Sequence, residues 1–357
     1  MTPGRPPVLT DRALNRATLA RQLLLERHAL PLTEALERVL GLQAQEPLEP
    51  YAGLWSRLAG FVPGALAGAL EDRSVARLLL MRRTVHLVSA ADAHGLRALH
   101  HGMLMDRALG VDRRRLPGIE AGPLWEAVAP LLAEPRRLPE VAAAVEDRWP
   151  LATRDALVQA IAVLVPVLQV PPRGVWGRPQ PQPSHVAVES WLGPAPGPAP
   201  APEDLVLRYL RAFGPATAAD IRAWSGLSGL NGPLERLRPR LRSFRDAAGR
   251  ELLDVEDGPL PDPGTPAPVR FLPAFDNAVL GFRHRGRMID EAYRALSVDA
   301  TRFVLVDGRV AATWRWTRPE RGAPAAVTVE PLRRLRREES AAVRAEARAL
   351  EAFLNAG

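Results

Sequence analysis

The chain has 357 residues, 47% of them apolar, with 47 basic against 40 acidic side chains and a net charge of +7. That length supports two or three ordinary domains, each with its own hydrophobic core. The sequence contains no cysteine, which excludes disulfides, thiolate metal sites and cysteine nucleophiles.

The opening residues, MTPGRPPVLTDRALNR, lack the apolar stretch of a secretory signal, and no apolar run reaches the ~18 residues of a membrane span. A cytoplasmic protein is expected, without membrane contact. Leu14, Leu19, Leu23 and Leu24 form one stripe of a helix within residues 10–28. Thr33 is placed to cap a helix over 34–42. After the break between Pro47 and Pro50, residues 51–58 give a short helix and 66–81 another. The alternating segment TVHLVS, 84–89, reads as a strand. Helices are expected again over 91–109, 124–132, 138–148 and 154–165, the last capped by Thr153. Strands 167–170 and 175–176 would form a wing around the Pro-Pro-Arg-Gly turn.

The stretch GPAPGPAPAP can form neither helix nor sheet, and residues 194–202 read as an extended linker. Helices over 205–213, 217–225 and 234–241, separated by Gly-Pro and by a Gly-rich turn, have helix-turn-helix spacing. Nine arginines face five acids between Glu203 and Arg250. The final stretch changes to strands at 269–272, 303–306, 309–316 and 325–331, with an Asp307-Gly308 hairpin turn and a closing helix over 337–353. The expected fold is mainly α with small β-sheets: three tandem winged helix-turn-helix units (1–90, 91–193 and 203–262) and a β-rich C-terminal region (263–357).

Every positive side chain is arginine, since lysine is absent. A guanidinium holds phosphate through a rigid fork, and the basic excess favours a polyanion. A compositional origin in a GC-rich genome stays open. His100 and His101 are adjacent and point about 100° apart on a helix, a poor metal clamp. No HExxH motif occurs, and neither metal nor cofactor is expected.

Four segments together resemble the winged-helix DNA glycosylases of the AlkZ type: GLQAQEP (41–47), LLLMRRTVHLVSAAD (78–92), LPAFDNAVLGFRHR (272–285) and VDGRVAATWRW (306–316). The resemblance implies three winged helices around duplex DNA in a basic channel. It also implies a catalytic signature of glutamine, an apolar residue, then glutamine or aspartate, here Gln43-Ala44-Gln45. The substrate implied is double-stranded DNA carrying alkylated purines, bound by a monomer.

Two amides make chemical sense there. Alkylation at N7 of guanine or N3 of adenine puts positive charge on the base and makes it a good leaving group. What remains is to place a water and to tolerate an oxocarbenium-like sugar. A glutamine offers one acceptor and two donors but cannot take a proton at neutral pH. On a regular helix the two side chains point about 200° apart, so a helix must end or distort there, as Pro47 suggests. Glu46 is a candidate general base, with a solvated carboxylate as the alternative reading. Without lysine, Schiff-base strand cleavage is not expected.

Candidate DNA contacts are Arg82, Arg83 and His86 around the first wing, and Arg236, Arg238, Arg240 and Arg242 on the third unit. For His86 a buried structural role is the alternative, and for the arginines simple surface charge. Trp55 reads as core, and Asp276 as a turn former rather than an electrostatic or catalytic group. A non-catalytic winged-helix regulator remains the competing function.

Overall fold

In the computed structural model, residues 6–112, 118–317 and 324–356 are described. A two-residue strand, β1 (Val8–Leu9), precedes α1 (Asp11–Arg21), whose N-terminus is capped by Thr10 accepting from the Ala13 N–H. This helix is shorter than the leucine spacing suggested. Leu23 takes a positive φ of 57°, and the chain then pairs in extended form with residues 57–59. Helix α2 (Leu32–Val39) likewise stops before Leu42. Leu40 and Gly41 turn left-handed, and the chain leaves as β2 (Leu42–Gln43). A Cβ on Gly41 would lie 2.8 Å from Val88 Cγ1 at a φ of +81°, so only glycine fits this exit.

Helices α3 (Glu49–Trp55) and α4 (Pro63–Glu71) follow. The helix expected to run to residue 81 ends ten residues early. Arg73 has a φ of 67°, the Ser74 N–H is bound by Asp72, and β3 (Val75–Leu79) begins. A short apolar run such as VARLLL satisfies either period, and sheet pairing decided it. A turn with positive φ at Arg82 (54°) and Arg83 (62°) leads back into β4 (Val85–Ser89).

Next come the long α5 (Ala90–Asp112), α6 (Ala121–Val128), α7 (Leu138–Val145) and α8 (Arg154–Leu164). Thr153 caps α8 through the Ala156 N–H, as expected. Strand β5 (Val167–Gln169) then pairs not with residues 175–176, which are not a strand, but with β6 (His185–Ala187) on one side and β3 on the other. The result is one five-stranded antiparallel sheet, ordered β2-β4-β3-β5-β6. It crosses the boundary expected at residue 90, so the first two expected units share a sheet. One cross-strand row runs Gln43, His86, Leu78, Leu168, Val186. Its apolar end is covered by the core beneath α5 and its polar end lies at the edge strand.

After the short α9 (Val188–Leu192) and the extended linker come α10 (Pro202–Phe213), α11 (Ala218–Ser225) and α12 (Asn231–Leu237), then the hairpin β7 (Leu241–Asp246) and β8 (Glu251–Val255). Strand β1 joins this hairpin, parallel to β7, so the first residues of the chain pack on the third expected unit. The last part holds β9 (Arg270–Leu272), the single-turn α13 (Asn277–Leu280), β10 (Arg302–Val306), β11 (Arg309–Thr317), β12 (Ala326–Pro331) and α14 (Arg337–Leu354). Its four-stranded antiparallel sheet shares a core with α2–α4, through Tyr51, Leu54, Phe271, Trp314 and Phe353. Trp55 lies in that core, as expected, with the Arg27 guanidinium 4.2 Å over its ring.

Buried ion pairs lock these layers. Arg57 and Asp276, both fully buried, make a two-pronged pair at 2.9 Å, and Arg21 pairs Asp254 at 2.6 Å. No helix among the described residues is long and apolar enough to cross a membrane.

Candidate active site

Gln43 ends the edge strand β2, directly across from His86 of β4. The helix end expected for a Gln-x-Gln pair is present: α2 stops at Val39, the chain passes through β2 to Gln43, and it bends at Gln45. Each residue of the motif is tied down. The Gln43 side-chain oxygen accepts from Arg82 Nη2 at 2.8 Å. The Ala44 carbonyl accepts from Arg77 Nη2 at 3.1 Å, and the Ala44 N–H donates to Val85 O at 2.7 Å. The Gln45 side-chain oxygen accepts the Val85 N–H at 3.2 Å, completing the ladder where β2 has run out of backbone. Gln43 is 7% exposed, whereas Gln45 and Glu46 are open to solvent.

The arm between β3 and β4 therefore organises the motif. Arg82 Nη2 also donates to Asn277 Oδ1 at 2.9 Å, and Nη1 reaches Trp224 O at 3.4 Å. Asn277, 1% exposed, donates from Nδ2 to the Gly41 carbonyl at 3.4 Å, so it fastens both the arm and the start of β2. Burial, with the charge of Arg285 nearby, lowers the Arg82 pKa to about 10, which leaves it a cation at neutral pH.

The histidines beneath this arm are neutral. His86, fully buried, shares a hydrogen bond between Nδ1 and Thr84 O at 3.0 Å; a carbonyl can only accept, so Nδ1 carries the proton. Burial and the charge of Arg82 push its pKa down to about 3. His100 makes the same kind of bond to Leu96 O, and burial pushes its pKa down to about 4. Neither histidine is an acid–base catalyst at neutral pH.

Several expected DNA contacts fall elsewhere. His86, on β4 between β2 and β3, has no exposed surface. The guanidinium of Arg82 is committed to Gln43 and Asn277. Arg242 turns inward to Asp254 and to the Val255 and Gly258 carbonyls. Arg236 is paired with Glu203, and Arg238 with Glu235 and Glu251, although both remain exposed. Arg240 is exposed and Arg83 half-buried, and neither side chain is ion-paired among the described residues. Arg240 lies in the turn after α12 and Leu241 opens β7, so the helix expected over 234–241 is shorter.

Two positioning groups escaped the sequence reading. In the sequence Asn277 is only the neighbour of the turn-forming Asp276, and Arg77 falls within the helix expected over 66–81. Asp276, buried against Arg57 and capping α13 through the Ala278 N–H, is structural.

The family described as DNA glycosylase AlkZ-like matches residues 36–353. The chain belongs to the AlkZ-like DNA glycosylase family. A DNA glycosylase of DNA repair is therefore the function at family level. The fold is that of the Streptomyces sahachiroi DNA glycosylase AlkZ, with a TM-score of 0.79 at 20% identity, over 98% of this chain and 97% of that one. Among curated protein sequences none matches.

Proposed function

We propose that this AlkZ-like chain is a monofunctional glycosylase that hydrolyses the N-glycosidic bond of N7- or N3-alkylated purines in double-stranded DNA, acting as a monomer. The observation that carries this reading is the pair of amides, Gln43 and Gln45, at a sheet edge where each is oriented by a donor from the β3–β4 arm. The two histidines nearest the motif, His86 and His100, are neutral and enclosed, and Glu46 is open to solvent.

Such a site suits a leaving group that needs no proton. The bond from C1′ to the purine nitrogen breaks, its electron pair neutralises the cationic base, and water forms the new bond to C1′ and releases its proton to bulk solvent. Undamaged purines, lacking the charge, would leave slowly. A crosslink joined through two N7-alkylated purines carries the same leaving group, and the same reaction would unhook it. With no lysine in the chain, no lysine amine is available to attack C1′ and cleave the strand. Arg83 and Arg240 serve as phosphate contacts in this reading.

The test is release of free base from a duplex with a single N7-methylguanine. Wild-type protein should release it and leave an abasic site in an unbroken strand. The Gln43→Ala/Gln45→Ala double variant should be slower by roughly 10²–10³-fold, the usual cost of removing a preorganised polar group from such a site. No release by wild type, with tight and salt-sensitive binding to undamaged duplex, would instead support the non-catalytic regulator.

A further inference from the structure

The hydrogen bonds at the motif settle which way its amides face. Arginine and a backbone N–H can only donate. Arg82 Nη2 at 2.8 Å from Gln43 and the Val85 N–H at 3.2 Å from Gln45 therefore require the side-chain oxygens at those positions. No amide flip is compatible with either contact. Both carbonyl oxygens are turned into the protein, and both NH2 groups are left without a hydrogen-bond partner among the described residues. For Gln43 the partner is a cation, and a bond to an ionised donor draws electron density through the amide and strengthens its N–H groups as donors. Arg82 is itself fixed from the far side by Asn277, which also holds the Gly41 carbonyl at the entrance to β2.

We propose that Arg82, steadied by Asn277, is a positioning residue that turns Gln43 so that it serves the reaction as a hydrogen-bond donor to a lone-pair oxygen at the damaged nucleotide, not as an acceptor that activates water. The inference rests on the assignment of Gln43 to the reaction centre. It adds the direction of the hydrogen bond and names two residues, more than 190 positions apart in the sequence, that set it.

The experiment measures single-turnover release of N7-methylguanine by wild type, Q43A, R82M, the Q43A/R82M double variant and Q43E, with thermal unfolding of each. Gln43→Glu keeps the shape and the bond to Arg82 but replaces the NH2 by a second acceptor. Release by Q43E should be as slow as by Q43A. Q43E release at or above the wild-type rate would overturn the donor assignment. Arg82→Met should slow release by about 10-fold or more, and the double variant should be no slower than Q43A alone, because Arg82 acts through Gln43. Release by R82M within twofold of wild type, or losses that multiply in the double variant, would overturn the positioning role. Should R82M fail to fold, Q43E still decides the direction, since it leaves the arm in place. An inactive wild type would sink the reading of the site itself, and an active wild type with an active Q43A would sink the assignment of Gln43, so neither is confused with failure of the clamp.

Discussion

Residues 81–84, between β3 and β4, and residues 235–242, which run from α12 into β7, look alike in the sequence as short arginine-rich segments, yet Arg82 in the first and Arg236 and Arg238 in the second meet opposite fates. On the β3–β4 arm, left-handed backbone at Arg82 sends its guanidinium inward, to two amide oxygens and a carbonyl. Around α12 and β7, the exposed Arg236 and Arg238 find carboxylates on the same surface, Glu203, Glu235 and Glu251. The first environment is partly buried, around a Gln43 and an Asn277 with almost no exposed surface; the second is exposed and screened, and its partners are exchangeable. A phosphate could take the place of Glu251 on Arg238, but nothing can take Arg82 from Gln43 without exposing a buried acceptor. The role of an arginine follows from where its partners lie, and a chain with no lysine must use the same side chain for both tasks.

The comparison is broken most severely where a buried arginine loses its partner. Asp276→Ala leaves the Arg57 guanidinium enclosed with a charge and no carboxylate. A destabilisation of about 3–5 kcal/mol is expected, read by urea unfolding. A loss under 1 kcal/mol would mean that water or another acceptor reaches Arg57, and the distinction between the two environments would fall.

A smaller effect, on the same buried layer, is a dependence on pH. Burial pushes the folded-state pKa of His86 down to about 3 and those of His100 and His185 to about 4, from an ordinary 6.5. The unfolded chain therefore binds protons that the folded chain refuses. Stability is complete above pH 6.5 and falls as pH drops toward 4. His86→Gln removes one titrating group while keeping a donor for Thr84 O. Between pH 4 and 6 it should flatten the slope of unfolding free energy by about 1.4 kcal/mol per pH unit. An unchanged slope would mean that His86 accepts a proton in the fold.

Local signals in the sequence were sufficient for some elements. Thr153 caps the helix that follows it, as expected, Asp307 and Gly308 form the expected turn with positive φ, and α14 runs nearly as its pattern implied; Thr33 does not cap, because α2 begins at Leu32 after Pro31 and Thr33 lies in its first turn. What failed was decided at a distance. VARLLL became a strand because β4 and β5 lie on either side of it, and β5 met β6 across a stretch with no strand signal. The five-stranded sheet, which overrides the expected boundary at residue 90, is a set of such long-range choices. Gln43 and Gln45 were legible through family resemblance, and the helix end expected near them is supplied where α2 stops at Val39. Arg77 and Asn277 were not, because their functions exist only once β3 and α13 are brought to β2.

The smallest expected effects lie on the surface around α12 and β7, where they sharpen the comparison. Arg238→Ala removes two screened pairs to Glu235 and Glu251, and a surface substitution of this kind should change stability by no more than about 0.5 kcal/mol. Arg240, exposed and not ion-paired among the described residues, need not surrender a carboxylate to bind phosphate. In titrations of undamaged duplex at several salt concentrations, Arg240→Ala should reduce the slope of log affinity against log salt by about 1, the signature of one lost phosphate contact. Arg238→Ala should reduce it less, because Arg238 must first part from its carboxylates to gain a phosphate. Equal slopes for both variants would mean that the surface pairs hold Arg238 no more firmly than water holds Arg240, and that burial alone separates the two classes of arginine.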